Sequence, residues 1–251
     1  MTEKIRKVLQ GEEDNYLLPF FWQHGEDEAT LRDYMHVIHD AGIRAVCLES
    51  RPHPDFAGDG WWHDLDIILD EAERLGMKVW ILDDSHFPTG YANGAVDRLG
   101  EEYCRQSITH RAYAMKAGET LELPAGEVLS VPHPPLNTVQ QYLKEQNPRR
   151  FDDDRILAVY FAGEDGETTP IPEGAKGGSA LRFTANRDGK LIILYLSRNL
   201  GYHTHYINMT EAKSVRVLID TVYEPHWQHY QDRFGKTIAG FSRTSRSSET
   251  G

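Results

Sequence analysis

Between residues 16 and 105, apolar runs of strand length alternate with amphipathic runs of helix length across short joins, and this alternation restricts the fold more than any other feature. Strands separated by crossover helices pair in parallel, with right-handed connections. Residues 16–22 read as the first strand. Residues 26–41 follow as a helix with Leu31, Tyr34, Met35 and Ile38 at spacings of three and four, ended by Gly42. The run Ile43-Arg44-Ala45-Val46-Cys47-Leu48 is the second strand. Residues 62–75 form the second helix, with Trp62, Leu65, Leu69, Ala72 and Leu75 facing inward and Gly76 as its stop. A third strand starts at Met77, and residues 95–104 continue as a third helix.

The third strand, Met77-Lys78-Val79-Trp80-Ile81-Leu82, runs directly into Asp83-Asp84-Ser85-His86-Phe87-Pro88-Thr89-Gly90. An apolar run of this kind suits a strand covered on both faces. Its exit carries two carboxylates and a histidine, and barrels of alternating strands and helices gather their chemistry at the carboxyl ends of the strands. Asp84 or Ser85 also suits a simpler role, capping the backbone of the next turn. The exit of the second strand carries Glu49, Ser50, Arg51 and His53, ahead of a loop rich in Gly, Pro and Asp.

From Gln106 to Arg198 the pattern changes to short strand candidates, such as residues 119–123, 155–161, 181–184 and 191–196, between clusters of Pro, Gly, Asp and Asn. Residues 132–135 and 170–178 read as exposed loops and 137–146 as a short helix. Helical spacing then returns: Val215, Leu218, Ile219, Val222 and Tyr223 share one side of a long helix that Pro225 should kink or break. Residues 236–241 resemble a fourth short strand, and the last ten residues contain no apolar side chain. The predicted fold class is therefore α/β: a partial (β/α) TIM-type barrel interrupted by a β-rich inserted domain. The expected boundaries are 1–105 for the first half of the barrel, 106–198 for the insertion, 199–241 for the return and 242–251 for a disordered tail. A barrel needs eight strands and roughly 250 residues, and four strands of barrel type are legible here.

The chain has 39 acidic and 27 basic residues among 251, a formal net charge of -12 that disfavours nucleic acid. Cys47 and Cys104 fall in a predicted strand and a predicted helix, so buried thiols are expected and not a disulfide framework. No segment approaches a membrane span and the amino terminus opens with charges, which makes a cytoplasmic location the default expectation. No cofactor is expected.

Aromatic side chains crowd the strand exits and the loops beyond them. A ring face matches the C–H surface of a sugar while nearby polar groups bond its hydroxyls, so a carbohydrate is the expected partner. Trp80 and Trp62 have core spacing, which leaves Trp61, Phe87 and Tyr91 as the better ligand contacts. Glycoside hydrolysis uses two carboxyl groups, and Glu49, Asp83 and Asp84 are the candidate catalytic residues. Arg51, His53, Trp61, His86, Phe87, Tyr91, Tyr206 and His24 complete the expected substrate-binding set. His203-Thr204-His205 has spacing that places two imidazoles on one strand face, but without companion ligands at a fixed distance no metal site is assigned.

Residues 77–94, with Asp83-Asp84 and Pro88-Thr89-Gly90-Tyr91-Ala92-Asn93-Gly94, resemble the strand-and-turn signature of the α-L-rhamnosidase-like glycoside hydrolases. Glu49-Ser50-Arg51, Trp61-Trp62-His63-Asp64 and Tyr206-Ile207-Asn208-Met209 extend the likeness over most of residues 16–105 and 202–241. The resemblance implies a (β/α) barrel interrupted by a β-domain and acting on a glycoside. One departure stands out. The resemblance implies an essential acid in a Phe-Asp-Glu-Pro type sequence after the strand at 237–241, whereas Gly240-Phe241 is followed here by Ser242-Arg243-Thr244. The expectation is a truncated catalytic barrel with reduced or no activity alone. A non-catalytic carbohydrate-binding module and a metal-dependent hydrolase are the alternatives.

Overall fold

The structure, a computed structural model, describes residues 2–10, 17–143, 145–171 and 180–243. In chain order, α1 (Glu3–Leu9), β1 (Phe20–Trp22), α2 (Glu28–Asp40), β2 (Ala45–Glu49), α3 (Asp59–Leu75), β3 (Lys78–Leu82) and a 3-10 segment, Ala92–Arg98, come first. Next are a 3-10 turn at Glu101–Tyr103, β4 (Ser107–Met115), β5 (Thr120–Leu123), α4 (Ala125–Leu129), α5 (Thr138–Leu143), β6 (Arg155–Gly163), β7 (Thr168–Pro170), β8 (Leu181–Thr184) and β9 (Gly189–Ser197). The chain ends with α6 (Ala212–Leu218), a π-helical segment at Ile219–Tyr223, α7 (Glu224–Tyr230) and β10 (Ile238–Ser242). Contacts divide it into two compact units, Met1–Leu99 with Met209–Ser247, and a second drawn chiefly from Gly100–Asn208.

The first unit is built on a parallel sheet in the order β1-β2-β3-β10. Val46, Leu48, Val79 and Ile81 lose all solvent exposure, as do Leu31 and Met35 of α2 and Leu65, Ile68, Leu69 and Ala72 of α3. Truncating any of these large aliphatics to Ala would cost about 2–5 kcal/mol. Asp27 caps α2 by accepting from the Thr30 amide at 3.1 Å, and Gly76 ends α3 in the left-handed conformation at φ 66°.

Three expectations are corrected in this unit. Helix α3 opens at Asp59, ahead of the predicted start, and Trp61, not Trp62, joins the buried stripe with Leu65, Ile68 and Ala72. Trp62 is half-buried and stacks on His229 at 4.0 Å between centroids. The predicted third helix is not α-helical: Asn93 (φ 50°) and Gly94 (φ 73°) take left-handed conformations, and the chain settles into two 3-10 pieces. Pro225 does not end the last helix. It sits in the first turn of α7, where the preceding π segment bonds the Glu224 amide to the Ile219 carbonyl, five residues back.

The second unit holds an antiparallel sheet in the order β4-β9-β6-β7 and a two-stranded pair, β5-β8. Val128, Phe161, Leu191, Ile193 and Tyr195 form its core, and the Tyr195 phenol donates to the Val128 carbonyl at 2.9 Å. Strand β4, absent from the strand candidates named above, pairs along its whole length with β9 while its side chains alternate in burial. The short helix α4 was likewise not anticipated. Residues 172–178 of the predicted 170–178 loop, residue 16 of the first strand and residues 244–251 of the tail lie outside the described residues.

Among the described residues the chain is thus mixed α/β, with one parallel and two antiparallel sheets. Among the described residues no helix is long and apolar enough to cross a membrane. Cys47 and Cys104 are both buried and are not joined in a disulfide.

Candidate functional site

Strand β2 ends in Glu49, whose side chain has no exposure. Arg51, two residues on, turns back over it: its Nε donates to Glu49 Oε1 at 2.5 Å, its Nη2 bonds Oε2, and its own amide reaches Oε1 at 3.3 Å. This bidentate fork neutralises a carboxylate that has been taken wholly out of water. The guanidinium carbon also lies 5.1 Å from the centroid of the Phe87 ring. His53 accepts the Asp55 amide at Nδ1 (3.1 Å), which leaves the proton on Nε2 to donate to Asp64 Oδ2 at 3.1 Å. Its ring stands edge-on to Trp61 at 5.2 Å.

Strand β3 delivers Asp83 and Asp84, both without exposure, to opposite tasks. Asp83 Oδ1 accepts from the Thr89 hydroxyl, and Asp83 Oδ2 accepts from the Tyr223 phenol at 2.5 Å. Burial pushes the Asp83 carboxyl above the usual aspartate range, with the Asp84 charge adding to the effect; the two hydroxyl donors and Arg243 pull the other way. Asp84 organises backbone. Its Oδ1 accepts the amides of Ser85 (2.8 Å) and Asn93 (2.9 Å), and its Oδ2 those of Gly90 (2.8 Å) and Ala92 (2.9 Å). Four donors occupy the four lone-pair sites of a carboxylate, which explains why residues 90–94 coil around it instead of starting an α-helix.

The register that pairs Leu48 with Ile81 sets the exits of β2 and β3 side by side, and the Ser50 hydroxyl donates to the Asp84 carbonyl at 2.8 Å. At this rim opens a cavity of about 440 Å³, lined by Ser50, Arg51, Pro52, His53, Pro54, Asp55, Phe56, Ser85, His86 and Asn93. That volume lies within the range of small-molecule sites. Pro52, Pro54 and Phe56 give it an apolar wall. Arg51 Nη1, the Ser85 hydroxyl and the His86 ring supply polar groups, while Asn93 spends its amide nitrogen on the Phe56 carbonyl at 3.1 Å.

The structure brings together Glu49, Arg51, His53, Asp83, Asp84, His86 and Phe87, the last 43% exposed. Tyr91 stands edge-on to the exposed His86 ring at 5.4 Å. His24 follows β1, exposed, with Nδ1 at 2.7 Å from Glu26 Oε1, and the adjacent Gly25 backs onto the Pro54 ring. Trp61 is different: it is fully buried and donates to His226, so it packs the core and offers no face to a ligand. Tyr206 belongs to the second unit, buried with its ring 5.5 Å from His203. His203 is pushed down to about 4 by burial and then by the charge of Arg105, and His205 Nε2 lies 2.8 Å from the Asn147 carbonyl. Among the described residues no three His, Cys, Asp or Glu side chains are grouped to hold a metal.

Sequence reasoning missed Thr89 and Tyr223 as partners of Asp83, and Ser50 as the tie between the two strand exits. Tyr223 is 140 residues away from Asp83 in the chain and carries no local signal. The Pro-Thr-Gly turn did place Thr89 near the acids.

No family model matches the chain, and no curated protein matches it. Among solved structures, a rhamnosidase from Novosphingobium sp. PP1Y shares a weak structural likeness, at 10% identity over 72% of this chain and a TM-score of 0.29. The matched region covers 24% of that protein, so the chain spans about a quarter of its length.

Proposed function

We propose that the rim formed by β2 and β3 is a glycoside-binding cleft of glycosidase type, with little or no turnover by this chain alone. The observation that carries this reading is the cavity of about 440 Å³ at the exits of β2 and β3, which combines an apolar wall with the polar groups of Arg51, Ser85 and His86. Such a wall stacks on a sugar face while the polar groups bond its hydroxyls. The sequence resemblance to rhamnosidase-like hydrolases points to the same class of ligand.

Low turnover follows from how the carboxylates are used. Asp84 is saturated by backbone amides, Glu49 is closed by Arg51, and the acid that the resemblance implies after Phe241 is replaced by Ser242 and Arg243. Hydrolysis needs one carboxyl group to protonate the leaving oxygen and a second as base or nucleophile. The carbohydrate-binding reading is favoured over the catalytic one by the Arg51–Glu49 closure.

A panel of methyl and aryl glycosides, titrated calorimetrically and assayed for release of the aryl group, tests both halves. Saturable binding of at least one glycoside, weakened roughly tenfold or more by His86→Ala, is the expected result. Absence of binding across the panel would sink the cleft. Turnover by the purified chain, abolished by Asp83→Asn, would overturn the claim of inactivity.

A further inference from the structure

Asn93 is held at two points in the wall of the cleft. Its backbone amide donates to Asp84 Oδ1 at 2.9 Å, and its side-chain Nδ2 donates to the Phe56 carbonyl at 3.1 Å. The residue takes the left-handed conformation at φ 50°, which asparagine tolerates better than most side chains and glycine adopts without strain. These two bonds tie the turn after β3 to the loop after β2, and both Asn93 and Phe56 line the one cavity. The spacing of its walls is thereby set from within the protein.

A carbonyl only accepts, so the amide nitrogen must face Phe56, and this fixes the other end of the amide as well. Among the described residues Asn93 Oδ1 has no hydrogen-bond partner, yet it is not shut away from solvent. It is an acceptor of set direction. The same cavity offers donors: Arg51 spends Nε and Nη2 on Glu49 and keeps Nη1, and the Ser85 hydroxyl and His86 ring stand beside it. A fixed acceptor among donors selects a ligand group that donates and accepts at once. A hydroxyl does both. A carboxylate has no proton for Oδ1 and meets the Asp55 carboxylate in the same lining, and an ammonium cannot accept from Arg51.

We propose that Asn93 determines specificity in this cleft: its Oδ1 accepts from one hydroxyl of an uncharged sugar, while its Nδ2 holds the loop that carries the Pro54 and Phe56 wall. The inference rests on the glycoside-binding reading and names the ligand group that the cleft distinguishes. Both ends of the amide are placed before the ligand arrives, so binding pays little for ordering this contact. A neutral hydrogen bond of this kind is worth roughly tenfold in affinity.

Asn93→Gly removes both side-chain contacts and suits the left-handed backbone, so the variant keeps its fold, as circular dichroism and a thermal melt verify. The tightest-binding methyl glycoside and its full set of monodeoxy analogues are titrated calorimetrically against wild type and variant. The variant is expected to bind the parent glycoside roughly tenfold more weakly. One analogue, roughly tenfold weaker than the parent on wild type, should lose nothing further on the variant. A residue acting through the fold alone would weaken the parent and every analogue alike. Without ligand, the amides of Asp55 and Gly58, bonded to His53 Nδ1 and the Asp55 carbonyl, should exchange several-fold faster in the variant. Wild-type binding in which every analogue responds to Asn93→Gly as the parent does overturns the proposal, and so does unchanged exchange at Asp55 and Gly58. Absence of any binding to wild type is a separate failure: it removes the cleft itself, and this role of Asn93 with it.

Discussion

Trp61 Nε1 donates to His226 Nε2 across 2.9 Å in the core of the first unit, and this single bond fixes the charge of the histidine. An indole N–H is a donor only, so Nε2 must present a lone pair; Nδ1, 2.6 Å from the Val222 carbonyl, must carry the proton. The ring is therefore neutral in the fold. Burial pushes it down to about 4, with the Val222 bond working upward and His229 downward.

Between pH 6.5 and about 4 the unfolded chain takes up a proton at this position that the folded chain refuses. The stability it contributes is complete above the unfolded value and lost as pH falls through that window, up to about 3 kcal/mol for a fully buried group. His203, also near 4, adds a loss of the same sign. Urea midpoints followed by tryptophan fluorescence should fall steeply from pH 7 to 4. His226→Gln should flatten part of that slope; an unchanged slope would contradict the assignment.

Tyr223→Phe removes one of two hydroxyl donors to a carboxyl with no exposure. The expected cost is about 1.5–3 kcal/mol at neutral pH. Because burial already raises the Asp83 pKa, the cost should shrink in acid, where the protonated carboxyl no longer needs two donors. Chemical denaturation at two pH values measures this, and an equal cost at both would count against it.

Asp84→Asn exchanges an acceptor of four amides for a group that accepts at one oxygen and sets an NH₂ against the rest. With two donors stranded, destabilisation of about 2–6 kcal/mol is expected, accompanied by altered amide exchange at residues 90–93. A folded variant of near wild-type stability would show that the turn does not depend on the carboxylate.

Arg51→Ala leaves Glu49 buried without its cation and should cost about 3–5 kcal/mol. Arg51→Lys restores charge but not the two-point fork or the contact with Phe87, so it should recover only part of that loss. Thermal melts of the two variants decide; full rescue by lysine would mean that charge alone matters.

The strand-and-helix alternation was legible because burial imposes period and length locally: β2, β3, α2 and α3 appear where apolar spacing put them. The same spacing misled for Trp61 and Trp62, since both lie near the apolar stripe of α3 and only the packing of His53, Phe56 and His226 around Trp61 decides which of the two is dry. The adjacent acids at 83 and 84 marked the strand exit in the sequence alone, yet their division of labour did not. Only the tertiary structure wraps four amides around Asp84, and only the π segment before Pro225 carries Tyr223 across 140 residues of chain to Asp83. Local residue pattern determines which face of an element is dry. Which polar atoms meet inside that dry region depends on segments far apart in sequence, and that was decided by the packing.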